Sequence, residues 1–467
     1  MSCTVGVLAP TSGFRCVNSP RGISASVFNP CITNVQMARF LHVLSVSFFG
    51  VLADAQTQQC LGLWPQPQTY SCGGTILSLD PASFSFLATG VDSPELARAF
   101  QRYSSIAFIP APALFPLNGT IVGSLISLRV DVLDADTDLG INTAENYTLV
   151  VPSSGGAALL TAPNVYGALR GLETFAQIVS WQGPSSSSFV VGACSITDFP
   201  RFRYRSAMID SSRHFVPMPT FYAFIDAMAY SKMNVLHWHV TDDQSFPFVS
   251  ATFPSLAARG AWGAGRADGS GPPIALLHSY AAADVQSIVA YARDRGIRVI
   301  PEFDSPGNGW QVGSPAVRFV HLQLLAGHTL SWGLGLPGLL TPCYTDGLPD
   351  GTFGPIDPTN PETYDTVASL LKEVAAAFPD AYMHIGGDEV CCCEHESPCQ
   401  AIRFTCRPPL AGAVRLLGVQ SCHHRVDDRT RRVRQLYCAR VLLRAKGMVW
   451  DTGRVQAIGA RDVLEFR

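Results

Sequence analysis

Asn234-Val-Leu-His-Trp-His-Val240 runs into Thr241-Asp242-Asp243, an apolar strand pattern ending in polar chemistry, and the segments on either side of it decide the fold. Residues 204–210 and 297–303 are further apolar strand patterns, and 218–231 and 282–295 read as helices. Downstream, 361–378 reads as a helix and 381–386 as a strand. Val- and Ile-rich strands that each lead into a helix are βα units, and such units in series build a parallel sheet. The strands end in Asp210/Arg213, His239/Asp242/Asp243, Glu302/Asp304 and Asp388/Glu389. A doubly wound sheet gathers its ligand groups at one crevice, whereas a closed barrel collects them from successive strand ends. The expectation is an α/β fold with a TIM-type (β/α)8 barrel over residues 201–467. Residues 56–200 hold strand patterns at 124–132, 147–151 and 188–194 and a helical pattern at 166–178. They are expected to form a small α+β domain.

With 467 residues, the chain is long enough for a barrel beside a smaller domain. Its 33 Lys+Arg against 36 Asp+Glu give a net charge of −3, which argues against a nucleic-acid partner, since such proteins present basic surfaces. From Met37, one arginine, an apolar run over 41–52 and Ala53-Asp54-Ala55 have the layout of a secretory signal peptide, 37–55. The run falls short of the about 20 residues a transmembrane span needs. Residues 1–36, upstream of that start, read as a spurious extension. Passage through the secretory pathway makes the 14 cysteines disulfide candidates. It also makes Asn118, in Asn-Gly-Thr, and Asn146, in Asn-Tyr-Thr, glycan-acceptor candidates.

His384-Ile-Gly-Gly-Asp388-Glu389 places two carboxylates side by side at a strand terminus. Alternation along a strand prevents neighbours from facing each other across a glycosidic bond. Both can nevertheless reach one ligand at different atoms. One carboxyl can protonate a leaving oxygen while its anionic neighbour steadies a nucleophile supplied by the substrate, as a 2-acetamido group does. Like charges this close push their pKa values apart and keep one acid protonated.

The neighbouring motifs carry a resemblance. Leu63-Trp-Pro-Gln-Pro-Gln68, Glu145-Asn-Tyr-Thr-Leu149, Tyr166-Gly-Ala-Leu-Arg-Gly-Leu-Glu-Thr-Phe175, Asp198-Phe-Pro-Arg-Phe202, Ile209-Asp-Ser-Ser-Arg-His214, Asp242-Asp-Gln-Ser-Phe-Pro247 and Tyr291-Ala-Arg-Asp-Arg-Gly-Ile-Arg-Val-Ile300 follow one another in order. In these motifs, residues 60–390 resemble eukaryotic β-N-acetylhexosaminidases of glycoside hydrolase family 20. The resemblance implies exo-acting release of terminal β-linked N-acetylglucosamine or N-acetylgalactosamine from glycans, by a retaining, substrate-assisted route with no metal or other cofactor. It implies Glu389 as general acid/base, Asp388 as holder of the acetamido nitrogen, and Arg213 as a clamp on sugar hydroxyls, which suits its planar fork of donors. Asp242 matches a substrate-pocket aspartate, and Trp450, in Met448-Val-Trp-Asp451, a tryptophan walling the acetamido group. His239 and Glu302 share the strand-end ring, where they orient neighbours or stand as satisfied core polar groups. The resemblance further implies a homodimer and a lysosomal, vacuolar or extracellular location.

The chain also departs from the family pattern. Ser305-Pro-Gly307 is separated from His328-Thr-Leu-Ser-Trp332 by residues 308–327, which read as an insertion. The histidine that the family carries in its active site then corresponds to His328, at the far end of an added loop. Loop closure itself costs little, yet a misplacement of about 1 Å costs on the order of a hundredfold in rate. After Val390, the sequence from Cys391-Cys-Cys-Glu-His395 onward is basic, aperiodic and unlike the family, and 391–435 is atypical. Consecutive cysteines make a poor tetrahedral zinc site. The family pattern implies instead a disulfide from Cys343 to one of Cys391, Cys392 and Cys393. Positions that complete the family's sugar pocket have no counterpart before Arg467. A truncated, inactive or merely sugar-binding homologue is therefore the first rival, and a chitinase-like endo-glycosidase the second.

Overall fold

A computed structural model describes residues 62–386, except 112–116, 118, 137, 184–187, 264–277, 306–327 and 346–347, together with Leu464–Glu465. The expectations for 1–36, the signal peptide 37–55, the insertion 308–327 and the atypical stretch 391–435 fall outside the described residues.

The first unit is one mixed sheet of β1 (Thr69–Leu79), β2 (Ser85–Ala88), β3 (Ile121–Val132), β4 (Tyr147–Val151), β5 (Gly156–Ala162), β6 (Ser180–Trp181) and β7 (Phe189–Asp198). The strand order is β1-β3-β5-β4-β7-β6, with β2 beside β3 and an added antiparallel pairing of β1 with β7. Helices α1 (Pro94–Ile106) and α2 (Val165–Ile178) share its core. Helix α1 starts at Ser93, whose hydroxyl accepts the Leu96 amide, with Pro94 and Glu95 in its first turn, each favoured there by geometry or by the helix dipole. Helix α2 is capped by Asn164, which accepts the amides of Tyr166 and Gly167. Gly167 and Gly171 let the helix lie directly on the sheet, because a Cβ there would run into the Asn146 carbonyl and the Leu160 side chain. Asn146 itself is exposed.

Twelve of the residues of α2 are buried, as befits a helix covered on more than one side. What covers its other side is the second unit. Arg170 donates through Nε to Glu145 at 2.7 Å and through Nη1 and Nη2 to the carbonyls of Arg295, at 3.1 Å, and Gly296, at 2.8 Å. Glu145 is also paired with Arg205 and accepts from Asn234. Lys232 is buried and directs Nζ at Asp198, Tyr147 and Thr174, all within 3.0 Å. Charges buried this way persist because each meets a partner.

The second unit contains the parallel strands β8 (Ser206–Asp210), β9 (Val235–Thr241) and β10 (Arg298–Phe303), and His384 continues the series by bridging in parallel to Glu302. Helices α3 (Met218–Tyr230), α4 (Ser255–Gly260), α5 (Ala282–Arg293), α6 (Leu330–Gly335) and α7 (Pro361–Ala377) follow in chain order. A hairpin of β11 (Leu340–Thr345) and β12 (Leu348–Ile356) precedes α7. Beyond it, β13 (Tyr382–Met383) pairs antiparallel with β14 (Leu464–Glu465). This is the α/β architecture expected of a TIM-type barrel, seen in its first strands. Every residue of β10 is buried, as is every residue of β9 except the half-buried His237. Such continuous burial belongs to a parallel sheet covered on both faces. Trp238, Phe246, Phe303 and Trp332 fill the core. Cys343 takes part in a disulfide, and so does Cys72, which the sequence reading does not single out.

Between the two units, Glu173 accepts from Tyr103 and Gln177, and burial pushes its carboxyl from its ordinary 4.5 up to about 7. The native state therefore binds this proton where the unfolded chain has released it, and its contribution is lost as pH rises from about 4.5 to about 7. Thermal denaturation across that range should show the parent losing stability with rising pH, and a Glu173→Gln variant losing measurably less.

Candidate active site

The ends of β8, β9 and β10 bring together residues far apart in sequence. At the end of β8, Asp210 Oδ1 accepts the amides of Ser212 and Arg213, turning the chain so that Arg213 Nη1 returns to Asp210 Oδ2 at 2.7 Å. Arg213 Nη2 reaches Asp242 Oδ2 at 2.7 Å, with 41% of its side chain still exposed. Its guanidinium is thus fixed on the protein side and open on the other.

Asp242 is the hub. Oδ2 meets Arg213, His239 Nε2 at 3.0 Å and His328 Nδ1 at 2.8 Å, and Oδ1 accepts the Asp243 amide at 2.7 Å. Burial would raise its pKa, but these histidines and Arg213 hold the carboxyl well below the usual range. With four donors and 2% exposure, Asp242 organises Arg213, His239 and His328 rather than facing solvent. His239 passes the linkage on, with Nδ1 at 3.0 Å from Glu302 Oε2. Burial alone would lower the His239 pKa, yet hydrogen bonds to Asp242 and Glu302 lift it to about 10.

Glu302 is met by three histidines, His239, His237 Nε2 at 2.7 Å and His384 Nδ1 at 2.8 Å. They hold it far below the ordinary carboxylate range despite its burial. Sequence reasoning gives His237 no role, although two-residue alternation sets it on the same strand face as His239. It likewise gives His384 none beyond opening the Gly-Gly turn. That turn is tied to β10, since the Phe303 amide donates to the His384 carbonyl and the Ser305 amide to the Ile385 carbonyl. Gly386 has φ 68°, and a Cβ there would overlap the Asp304 carboxylate. Only glycine meets both demands.

His328 sits at Asp242 in spite of the sequence separation, with Nδ1 also 3.1 Å from Asp304 Oδ2. Asp388, Glu389, Trp450, Cys391, Cys392, Cys393 and Asn118 lie outside the described residues. Two sets could offer donors to a metal ion, His237/Glu302/His384 and His239/Asp242/Asp304, with ligand atoms within 4.8 Å of one another. In the first, both histidines already stand at hydrogen-bond distance from the carboxylate, 2.7 and 2.8 Å, which satisfies it as it is. Chemically, the cluster offers a half-exposed cation anchored by two carboxylates, and a hydrogen-bonded frame beneath the turn at Gly386.

Residues 202–410 match a family described as glycosyl hydrolase family 20, catalytic domain, and residues 63–178 one described as beta-acetyl hexosaminidase like. The chain is 39% identical to the beta-hexosaminidase subunit alpha of Bos taurus over 355 residues, covering 74% of this chain and 60% of that protein. It is 38% identical to the beta-hexosaminidase subunit beta of Homo sapiens over 338 residues, 70% of this chain and 54% of that one. The chain thus spans about 60% of the length of the curated relatives it matches. Among solved structures, a chitobiase of Flavobacterium johnsoniae superposes with a TM-score of 0.53 at 27% identity, over 71% of this chain and 45% of that one. An exo beta-N-acetylglucosaminidase from Vibrio harveyi, in complex with N-acetylglucosamine, gives 0.52 at 25% identity, over 73% and 48%.

With a pKa near 10, the His239 ring should keep its proton throughout neutral pH. An NMR titration should find no change in its ring signals between about pH 5 and 8, and Glu302→Gln should lower the pH at which the ring titrates.

Proposed function

The chain belongs to glycoside hydrolase family 20, and on that premise we propose that it removes terminal β-linked N-acetylhexosamine from glycans with retention of configuration. The observation that carries this reading is the joining of Arg213, His239, Asp242, Glu302, Asp304 and His328 at successive strand ends within the family-matched segment. An open guanidinium held from behind by carboxylates suits the hydroxyls of a sugar ring.

The acetamido oxygen of the substrate attacks its own anomeric carbon while Glu389 gives a proton to the departing glycosidic oxygen, leaving a cyclic oxazolinium. Asp388 holds the acetamido nitrogen and steadies the charge that develops there. Water then adds to the anomeric carbon, Glu389 takes back the proton, and the acetamide is restored. Trp450 walls the acetamido group, and His239 and Glu302 keep the pocket's polar groups in register. The homodimer, a location in the secretory pathway or lysosome, glycans at Asn118 and Asn146, and a Cys343 disulfide to one of Cys391, Cys392 and Cys393 belong to the same proposal. Among the described residues no helix is long and apolar enough to cross a membrane.

Assay of the full chain on an aryl β-N-acetylglucosaminide and on the matching β-glucoside decides the matter. The reading requires turnover of the first and none of the second; equal rates would defeat it. Release of oligomers rather than monosaccharide from chito-oligosaccharides would favour an endo-enzyme. Glu389→Gln should lower kcat by at least about a hundredfold, and Arg213→Lys should raise KM by about tenfold, since a point charge cannot replace the fork.

A further inference from the structure

Asp242 and Asp243 are neighbours in sequence, yet they hold different parts of one segment. Asp242 Oδ2 meets the His328 ring, whereas Asp243 Oδ1 accepts the amide of Leu330 at 2.8 Å, two residues further on. Ser331 Oγ donates to the Asp242 carbonyl at 2.6 Å, and the Trp332 side chain is fully buried beneath. His328 has φ 66°, a left-handed backbone that a histidine keeps only where its surroundings enforce it.

We propose that Asp243 is a positioning residue, whose carboxylate clamps the Leu330 amide and thereby seats His328 against Asp242 and Asp304. Leu330, Ser331 and Trp332, which anchor this seat, follow His328 in the chain. The clamp needs an acceptor oxygen and no charge. Burial pushes the Asp243 carboxyl up to about 6, and the Leu330 amide draws it back; an acid protonated on one oxygen still accepts through the other.

The effect on turnover rests on the hexosaminidase reading, whereas hydrogen exchange at Leu330 does not, so both are measured on the full chain. Asp243→Ala should speed exchange of the Leu330 amide by about tenfold or more. It should also lower kcat by about tenfold or more with KM within about twofold. Asp243→Asn, which keeps a carbonyl oxygen, should recover most of both. Added to His328→Gln, Asp243→Ala should cost nothing further, because the group it seats is already gone. Asp243→Leu gives the same comparison if the alanine variant does not fold. Unchanged Leu330 exchange in the alanine or leucine variant, an asparagine variant as impaired as alanine, or losses that multiply in the double variant would each overturn the proposal. A parent chain without turnover would count against the hexosaminidase reading alone, and exchange at Leu330 would still decide the role of Asp243.

Discussion

A carboxylate drawn out of water stays ionised only where protein donors replace the water it has lost, and the strand ends meet around two such anions. Glu302 is answered by His237, His239 and His384, and Asp242 by Arg213, His239 and His328. Because His239 serves both, the two clusters form one continuous object running from β8 through β9 and β10 to the strand at His384. The donors come from the turn after β8, from β9, from the segment before α6 and from the turn after β13, so the anions specify how those elements sit relative to one another. Removing a donor would leave a buried charge exposed to its own desolvation cost, which is why such networks tolerate little.

The adjacent acids Asp242 and Asp243 follow the same logic to opposite ends. Cations surround the first and depress its pKa; burial next to a like charge raises that of the second to about 6. In the proposed mechanism the same reasoning applies, on sequence grounds, to Asp388 and Glu389, where one acid has to remain protonated to donate. A local difference in donors is enough to give two chemically identical neighbours separate tasks.

Much of the architecture was legible in the chain. Strand patterns at 234–240 and 297–303, each followed by a helix, pointed to a parallel sheet, and the polar residues at their ends are those that meet in the cluster around Asp242 and Glu302. Helix α1 is absent from the sequence reading, although Ser93-Pro94-Glu95 carries the signal of a helix start. What could not be read was convergence. His237 and His384 are separated from Glu302 by 65 and 82 positions, and only the sheet brings them to one carboxylate. His328 illustrates the converse: distance along the chain suggested displacement, whereas contacts made by the residues after it return the ring to Asp242. Cys72 offered no local signal, since pairing of cysteines is a property of the folded chain.

The seam made by Arg170 has a consequence for how the molecule could be divided. Its guanidinium spends its donors on Glu145 in the first unit and on the backbone of Arg295 and Gly296 in the second. Cut apart at residue 200, the barrel would present bare carbonyls and the smaller unit an arginine stranded on an apolar helix face. A chimaera with a relative would have to transplant α2 and the turn at 295–296 as a matched set.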